Sequence, residues 1–210
     1  MKLYRAQHTC AIGIHVVLEE IGAPYTTEEL PVAALSEPAF RRINPKGKVP
    51  TVERDDGSVL TEYGAIATWL ARQHPEAGLL PEDPEAEARM REAMDYAVGT
   101  LHAQGFGRIF MPAKFEPPDL VHKAGLGASS VKALGREMVE QGFAILDAGL
   151  AGREWVAGDR YSIGDSALFY CERWAPQVGI ELPANLAAHF ERMKARPAVR
   201  RVLEVWGEAP

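Results

Sequence analysis

A small mixed α/β unit followed by an all-helical one is the fold class this sequence predicts. Three observations carry it: strand and helix signals alternate over the first 75 residues, a Pro- and Gly-rich break spans His74 to Pro84, and strand signals are scarce beyond it. Lys2-Leu3-Tyr4 reads as a short strand. A helix follows from about Cys10 to Ile21, with Ile14, Val17, Leu18 and Ile21 as its buried stripe, Thr9 as the expected N-cap and Gly22 as its stop. Tyr25 to Leu30 reads as a second strand, Pro38 to Ile43 as a weaker helix, and two strands around Val52 and Val59 flank a turn at Asp56-Gly57. A helix opening at Thr61 turns Ile66, Trp69 and Leu70 inward. The order βαβαββα favours a small mixed sheet with helices packed on it, because each element can cover only one apolar face of its neighbour.

The break sets the expected boundaries: a first domain over 1–75, a linker over 76–84 and a helical domain over 85–210. Helices are expected at about 84–111, 123–150, 162–175, 183–195 and 197–206. Ser162-Ile163-Gly164-Asp165 has the spacing of a capping box, with Asp in place of the usual Glu or Gln.

Composition narrows the function classes. At 210 residues, 47% hydrophobic and 25% charged, the chain is ordinary for a globular protein with a substantial core. A net charge of −6 argues against a nucleic-acid partner. No apolar run approaches the roughly 18 residues of a membrane span and no signal-peptide h-region is evident, so no membrane partner and a cytoplasmic location are expected. Cys10 and Cys171 are too few for a disulfide framework, and the six histidines show no metal-ligand spacing, so free thiols and no metal are expected.

The chemistry concentrates in Asn44-Pro45-Lys46-Gly47-Lys48-Val49-Pro50-Thr51, followed by Thr61-Glu62-Tyr63-Gly64-Ala65-Ile66. A backbone edge at Val49-Pro50 can hydrogen-bond an extended peptide, and the unpaired N–H groups of a helix start near Glu62 and Tyr63 can hold a carboxylate. Cys10, at the first turn of a helix, occupies a place where the partial positive charge of free N–H groups favours thiolate over thiol. Gly13 rather than Cys excludes a two-cysteine redox motif.

With Met1-Lys2-Leu3-Tyr4, Leu101-His102, the run Gly158 to Asp165 and Arg173-Trp174-Ala175, these segments resemble the cytosolic glutathione S-transferase family over essentially the whole chain, and most of all its bacterial beta class. The resemblance implies a thioredoxin-like N-terminal domain, a cis proline at Pro50 beside which glutathione's cysteinyl unit pairs with Val49, and a homodimer. It implies Cys10 and His102 near the sulfur of glutathione, which enters as co-substrate. Glu62 is then the group that binds the γ-glutamyl amine, with Asp95 able to reach it across a dimer interface. Phe106, Phe110, Phe115 and Trp174 are candidate walls of the pocket for a small hydrophobic electrophile, with detoxification as the expected role.

Three features depart from the family pattern. Tyr63 stands where a small Ser or Thr hydroxyl normally meets the γ-glutamyl carboxylate, Ala11 stands where beta-class proteins often have Ser, and Leu30 to Leu35 lacks the lysine commonly found there. Tyr63 leaves either its backbone N–H alone to bind or a ring that fills part of the pocket. Each hydrogen bond lost to a charged ligand weakens binding by about 1.5–3 kcal/mol, so weak glutathione affinity is expected. Glutathione-dependent thiol transfer or disulfide reduction through Cys10, and a non-catalytic binding module with a weakened glutathione site, are the alternatives.

Overall fold

The computed structural model describes residues 1–116 and 128–209. The first half is a four-stranded mixed sheet in the order β2-β1-β3-β4. Strand β1 (Lys2–Arg5) runs parallel to β2 (Thr26–Glu29) and antiparallel to β3 (Thr51–Glu53), which pairs antiparallel with β4 (Val59–Thr61). Helix α1 (Ala11–Ile21) is buried from Ala11 through Leu18, so it is a central core helix rather than one with a single buried stripe. It stops at Gly22, whose left-handed φ of 65° lets its N–H reach the Leu18 carbonyl.

Two local expectations are corrected. Thr9 does not cap α1: its hydroxyl donates to the Ala6 carbonyl at 2.7 Å, and Cys10 takes the cap position. The helix expected from Thr61 begins two residues later as α3 (Tyr63–Gln73), because Thr61 is held in the sheet opposite Thr51 and Glu62 makes the turn at a φ of +72°. The short α2 (Pro38–Ile43) lies where its pattern places it.

Helix α4 (Pro84–Asp95), capped by the Asp83 side chain, continues as a π-helical segment over Tyr96–Phe106 and ends in the one-turn α5 (Gly107–Phe110). The remaining helices are α6 (Ala128–Gly149), α7 (Ile163–Trp174), α8 (Ala184–Ala195) and α9 (Pro197–Val205). The start of the helix expected over 123–150 lies outside the described residues as far as 127. Every residue of α7 is buried. At its start the Ser162 N–H and hydroxyl both donate to Asp165, at 2.7 and 2.8 Å, as the capping-box spacing predicts. Helix α1 packs on α3, α7 and α9, so one continuous apolar core runs from Leu3 to Trp206 through both halves.

Candidate active site

The site forms where the β1–α1 connection, the cis-proline loop ahead of β3 and the start of α3 face the π-helical segment and α7. Val49-Pro50 is cis and leads directly into β3. Asn44 is buried beneath this loop, donating to the Lys48 carbonyl and to Thr51 Oγ1 at 2.8 and 2.9 Å, which fixes the edge. The Cys10 thiol donates to the Val49 carbonyl at 3.8 Å, so sulfur and edge stand side by side.

The environment of Cys10 reverses the expected acidity. Burial pushes its thiol up to about 12, with Glu62 reinforcing the effect and Lys48 only partly opposing it. At neutral pH Cys10 is therefore a thiol, suited to donating a hydrogen bond and poorly suited to nucleophilic attack.

Helix α3 opens toward the same place. Ile66 N–H returns to the Glu62 carbonyl, which leaves the Tyr63, Gly64 and Ala65 N–H groups without intrahelical acceptors. The Glu62 carboxylate, 65% exposed, pairs with Lys46 at 2.7 Å, and Lys46 also donates to Thr61 Oγ1. Lys46 is thus a direct neighbour of the amine-binding candidate. Glu62 and Asp95 line one groove of about 530 Å³ between α3 and α4, together with Trp69 and Arg91.

Tyr63 turns away from this surface. Only 4% exposed, its ring lies 5.2 Å from that of Tyr170, and its hydroxyl is buried without a hydrogen-bond partner among the described residues. Gly13 makes the room: a Cβ there would stand 2.9 Å from Tyr63 Cε2 and 2.8 Å from the Ser166 carbonyl. Gly13 and Tyr63 are one packing solution. The outcome for a carboxylate is backbone N–H groups without a side-chain hydroxyl.

His102, on the π-helical segment, contacts Tyr170 Oη through Nδ1 at 3.3 Å and packs edge-on against Trp174 at 4.9 Å. Burial, with a smaller contribution from Lys48, lowers it to about 4, so it is neutral at working pH. Tyr170 is the site residue that sequence reasoning missed; its one signal is a position one helical turn before Trp174 on α7.

Phe106, Phe110 and Trp174 form one aromatic cluster, with ring separations of 5.3 to 5.7 Å. Phe106 is fully buried and serves as floor, whereas Phe110 is 45% exposed and presents a face. Phe115 stands apart, under the Arg108 guanidinium at 4.5 Å. Cys171 is buried and donates to the Ala97 carbonyl at 3.6 Å, a packing role. Among the described residues no three of His, Cys, Asp and Glu converge as a metal-ligand set, and no helix is long and apolar enough to cross a membrane.

Comparison with known proteins gives this cleft a family. Residues 9–73 match the family model of the glutathione S-transferase N-terminal domain, and residues 111–197 that of the C-terminal domain. The chain is 30% identical to glutathione S-transferase GstA of Escherichia coli O157:H7, over 99% of each chain. A solved sphingomonad glutathione S-transferase complexed with glutathione shares 32% identity over all of both chains at a TM-score of 0.83. The bacterial beta-class enzyme of Sphingomonas chungbukensis shares 29% identity, again over all of both chains, at a TM-score of 0.83. A thioredoxin-like sheet with a cis proline, its helical partner, and full-length similarity to these enzymes make the chain a member of the glutathione S-transferase family.

Proposed function

We propose that this transferase binds glutathione along the cis Val49-Pro50 edge and directs its thiolate at a small hydrophobic electrophile seated on Phe110 and Trp174. The observation that carries the reading is the meeting of three binding elements beside the Cys10 sulfur: the Val49 backbone, the open N-terminus of α3 and the Glu62 carboxylate. The cysteinyl unit pairs with the Val49 backbone, the γ-glutamyl carboxylate rests on the Tyr63 and Gly64 N–H groups, and the amine meets Glu62. Asp95 adds to the amine site from the shared groove or from a second subunit of a homodimer.

The chemistry follows from protonation states. When glutathione binds, the Cys10 S–H turns from the Val49 carbonyl to the glutathione sulfur, where it and a neutral His102 both donate. A buried Tyr170 phenol, kept protonated by burial, donates to His102 Nδ1 and leaves the Nε2–H free for that role. Two donors favour the thiolate, its proton leaves to solvent, and the aromatic cluster holds the electrophile within reach. A protonated Cys10 supports conjugation over thiol transfer through a mixed disulfide. Detoxification in the cytoplasm is the role that fits this chemistry.

Calorimetric titration with glutathione, paired with conjugation of 1-chloro-2,4-dinitrobenzene, tests the reading. Turnover is expected, with glutathione affinity ten- to a hundredfold below that of an enzyme with a serine at position 63, because a charge-assisted hydrogen bond is missing. No binding at millimolar glutathione would overturn it.

A further inference from the structure

The ion pair between Lys46 and Glu62 occupies the place where the proposed function seats the ligand's amine. Lys46 Nζ donates to Glu62 Oε1 at 2.7 Å and to Thr61 Oγ1 at 2.9 Å. Of the described cations, it alone bonds this carboxylate. Arg91, which lines the groove with Glu62, is held by Glu87, its Nε donating at 3.0 Å. A ligand ammonium therefore reaches Glu62 only by displacing a resident one.

The backbone that carries Lys46 is fixed, and its ammonium is not. Buried Asn44 accepts from the Lys46 N–H at 3.1 Å and donates to the Lys48 carbonyl, while Gly47 turns the loop at a left-handed φ of 62° with its N–H on the Asn44 carbonyl. A Cβ at Gly47 would stand 2.7 Å from the Leu35 carbonyl, so the loop is packed closely from behind. The Lys46 side chain, in contrast, is 51% exposed, and that of Glu62 more so. An exposed ion pair is worth little against water, so exchanging its partners costs little. Rotation about the lysine stem carries the ammonium from Thr61 and Glu62 to the adjoining start of α3, where Tyr63 offers its N–H and, with its ring buried, no hydroxyl.

We infer that Lys46 trades partners when glutathione binds, and so selects thiols whose far end carries an ammonium and a carboxylate on one carbon. The inference rests on the proposed seating of the γ-glutamyl end. The ligand's ammonium replaces Lys46 on Glu62, and Lys46 turns to the ligand's carboxylate beside the Tyr63 and Gly64 N–H groups. Every charge then has a partner. A ligand with the ammonium alone evicts Lys46 into water and gives it nothing in return, which makes Lys46 a specificity-determining residue. Because its contact is exposed, Lys46 offsets only part of the hydrogen bond that position 63 does not make.

Calorimetry with glutathione and with 4-aminobutyryl-Cys-Gly, which is glutathione without the γ-glutamyl carboxylate, tests the exchange in the full chain. K46Q should bind glutathione about three- to fivefold more weakly than the parent, and 4-aminobutyryl-Cys-Gly more tightly. K46R, which keeps the charge, should restore the parent order. K48Q removes an equal charge two residues along and should show no such reversal. In conjugation, K46Q should raise KM for glutathione by the same factor and leave kcat nearly unchanged, because the sulfur is untouched. Equal weakening of both ligands in K46Q would reduce Lys46 to a part of the loop and overturn the inference. Tighter glutathione binding by K46Q, or the same reversal in K48Q, would overturn it as well. No binding of glutathione by the parent would overturn the proposed function and the exchange with it, whereas glutathione binding without the reversal overturns the exchange alone.

Discussion

Two buried regions on either side of α7 treat charge in opposite ways. In the catalytic cleft, burial acts without a close counter-charge, so Cys10 is pushed up to about 12 and His102 down to about 4, and both are neutral. Behind α7, His189 is just as buried but stands between Glu172 at 2.9 Å and Asp165 at 3.2 Å. Burial opposes its charge there too, yet Glu172 and then Asp165 overcome it and raise His189 to about 10. Asp165 is further held by the Val156 N–H and by its capping box. The difference is that one region spends its fixed charges on the fold, whereas the other stays neutral where the charge of a ligand's thiolate is to be received.

Breaking the charged region should have the largest effect. H189Q leaves at least one buried carboxylate without its counter-charge, and breaking such a pair costs about 3–5 kcal/mol. For a chain of this length that lowers Tm by roughly 10 °C, which thermal unfolding would register. The pH dependence sharpens the contrast. Because the folded pKa of His189 is raised, its contribution is fully present below the unfolded value near 6.5 and is lost as pH rises toward about 10. His102 and His15, both lowered to about 4, act in the opposite sense: the unfolded chain takes up protons first, so stability falls as pH drops from about 6.5 to 4. Denaturant titrations across pH should show H189Q losing the alkaline slope and keeping the acid one.

A clash at the boundary of the cleft ranks next. G13A places a methyl group against the Tyr63 ring and the Ser166 carbonyl, and overpacking of this kind costs about 1–3 kcal/mol. The double variant G13A/Y63S removes the ring and should recover part of that loss. Strictly additive single and double variants in denaturant unfolding would show that positions 13 and 63 do not share a packing site.

This pair also shows where sequence reasoning reached and where it stopped. The order of elements in the first half, Gly22 and the Ser162–Asp165 box were legible because each is set within a few residues or by a repeating apolar pattern. Gly13 and Tyr63 were both visible as letters, but the direction of Tyr63 depends on a helix far earlier in the chain and on the Ser166 carbonyl of α7. Cys10 stands at a helix start as its position implies, yet the shift in its acidity comes from distant elements that bury it. The π-helical winding around His102 carries no local signal at all.

Within the cleft, neutrality itself can be tested. If Cys10 acts as a hydrogen-bond donor, C10S keeps a donor and should conjugate within a few-fold of the parent. C10A removes it and should lose roughly tenfold in kcat/KM, the equivalent of about 1.4 kcal/mol. Reduction of a model disulfide by C10S at the parent rate would eliminate thiol transfer through Cys10, whereas loss of conjugation in C10S would show that a hydrogen-bond donor at position 10 is not enough and the thiol itself is required.

The smallest effect belongs to the Tyr63 hydroxyl. It is buried without a partner among the described residues, so removing it relieves a desolvated group instead of breaking a bond. Y63F should leave stability unchanged or raise it by about 1 kcal/mol, and glutathione affinity by calorimetry should stay the same, since the hydroxyl points to Gly13 and not to the ligand surface. A several-fold loss of affinity in Y63F would mean that the phenol reaches the γ-glutamyl carboxylate. In that case the neutral cleft would hold its ligand through a side chain, and the backbone-only anchor inferred for the start of α3 would be wrong.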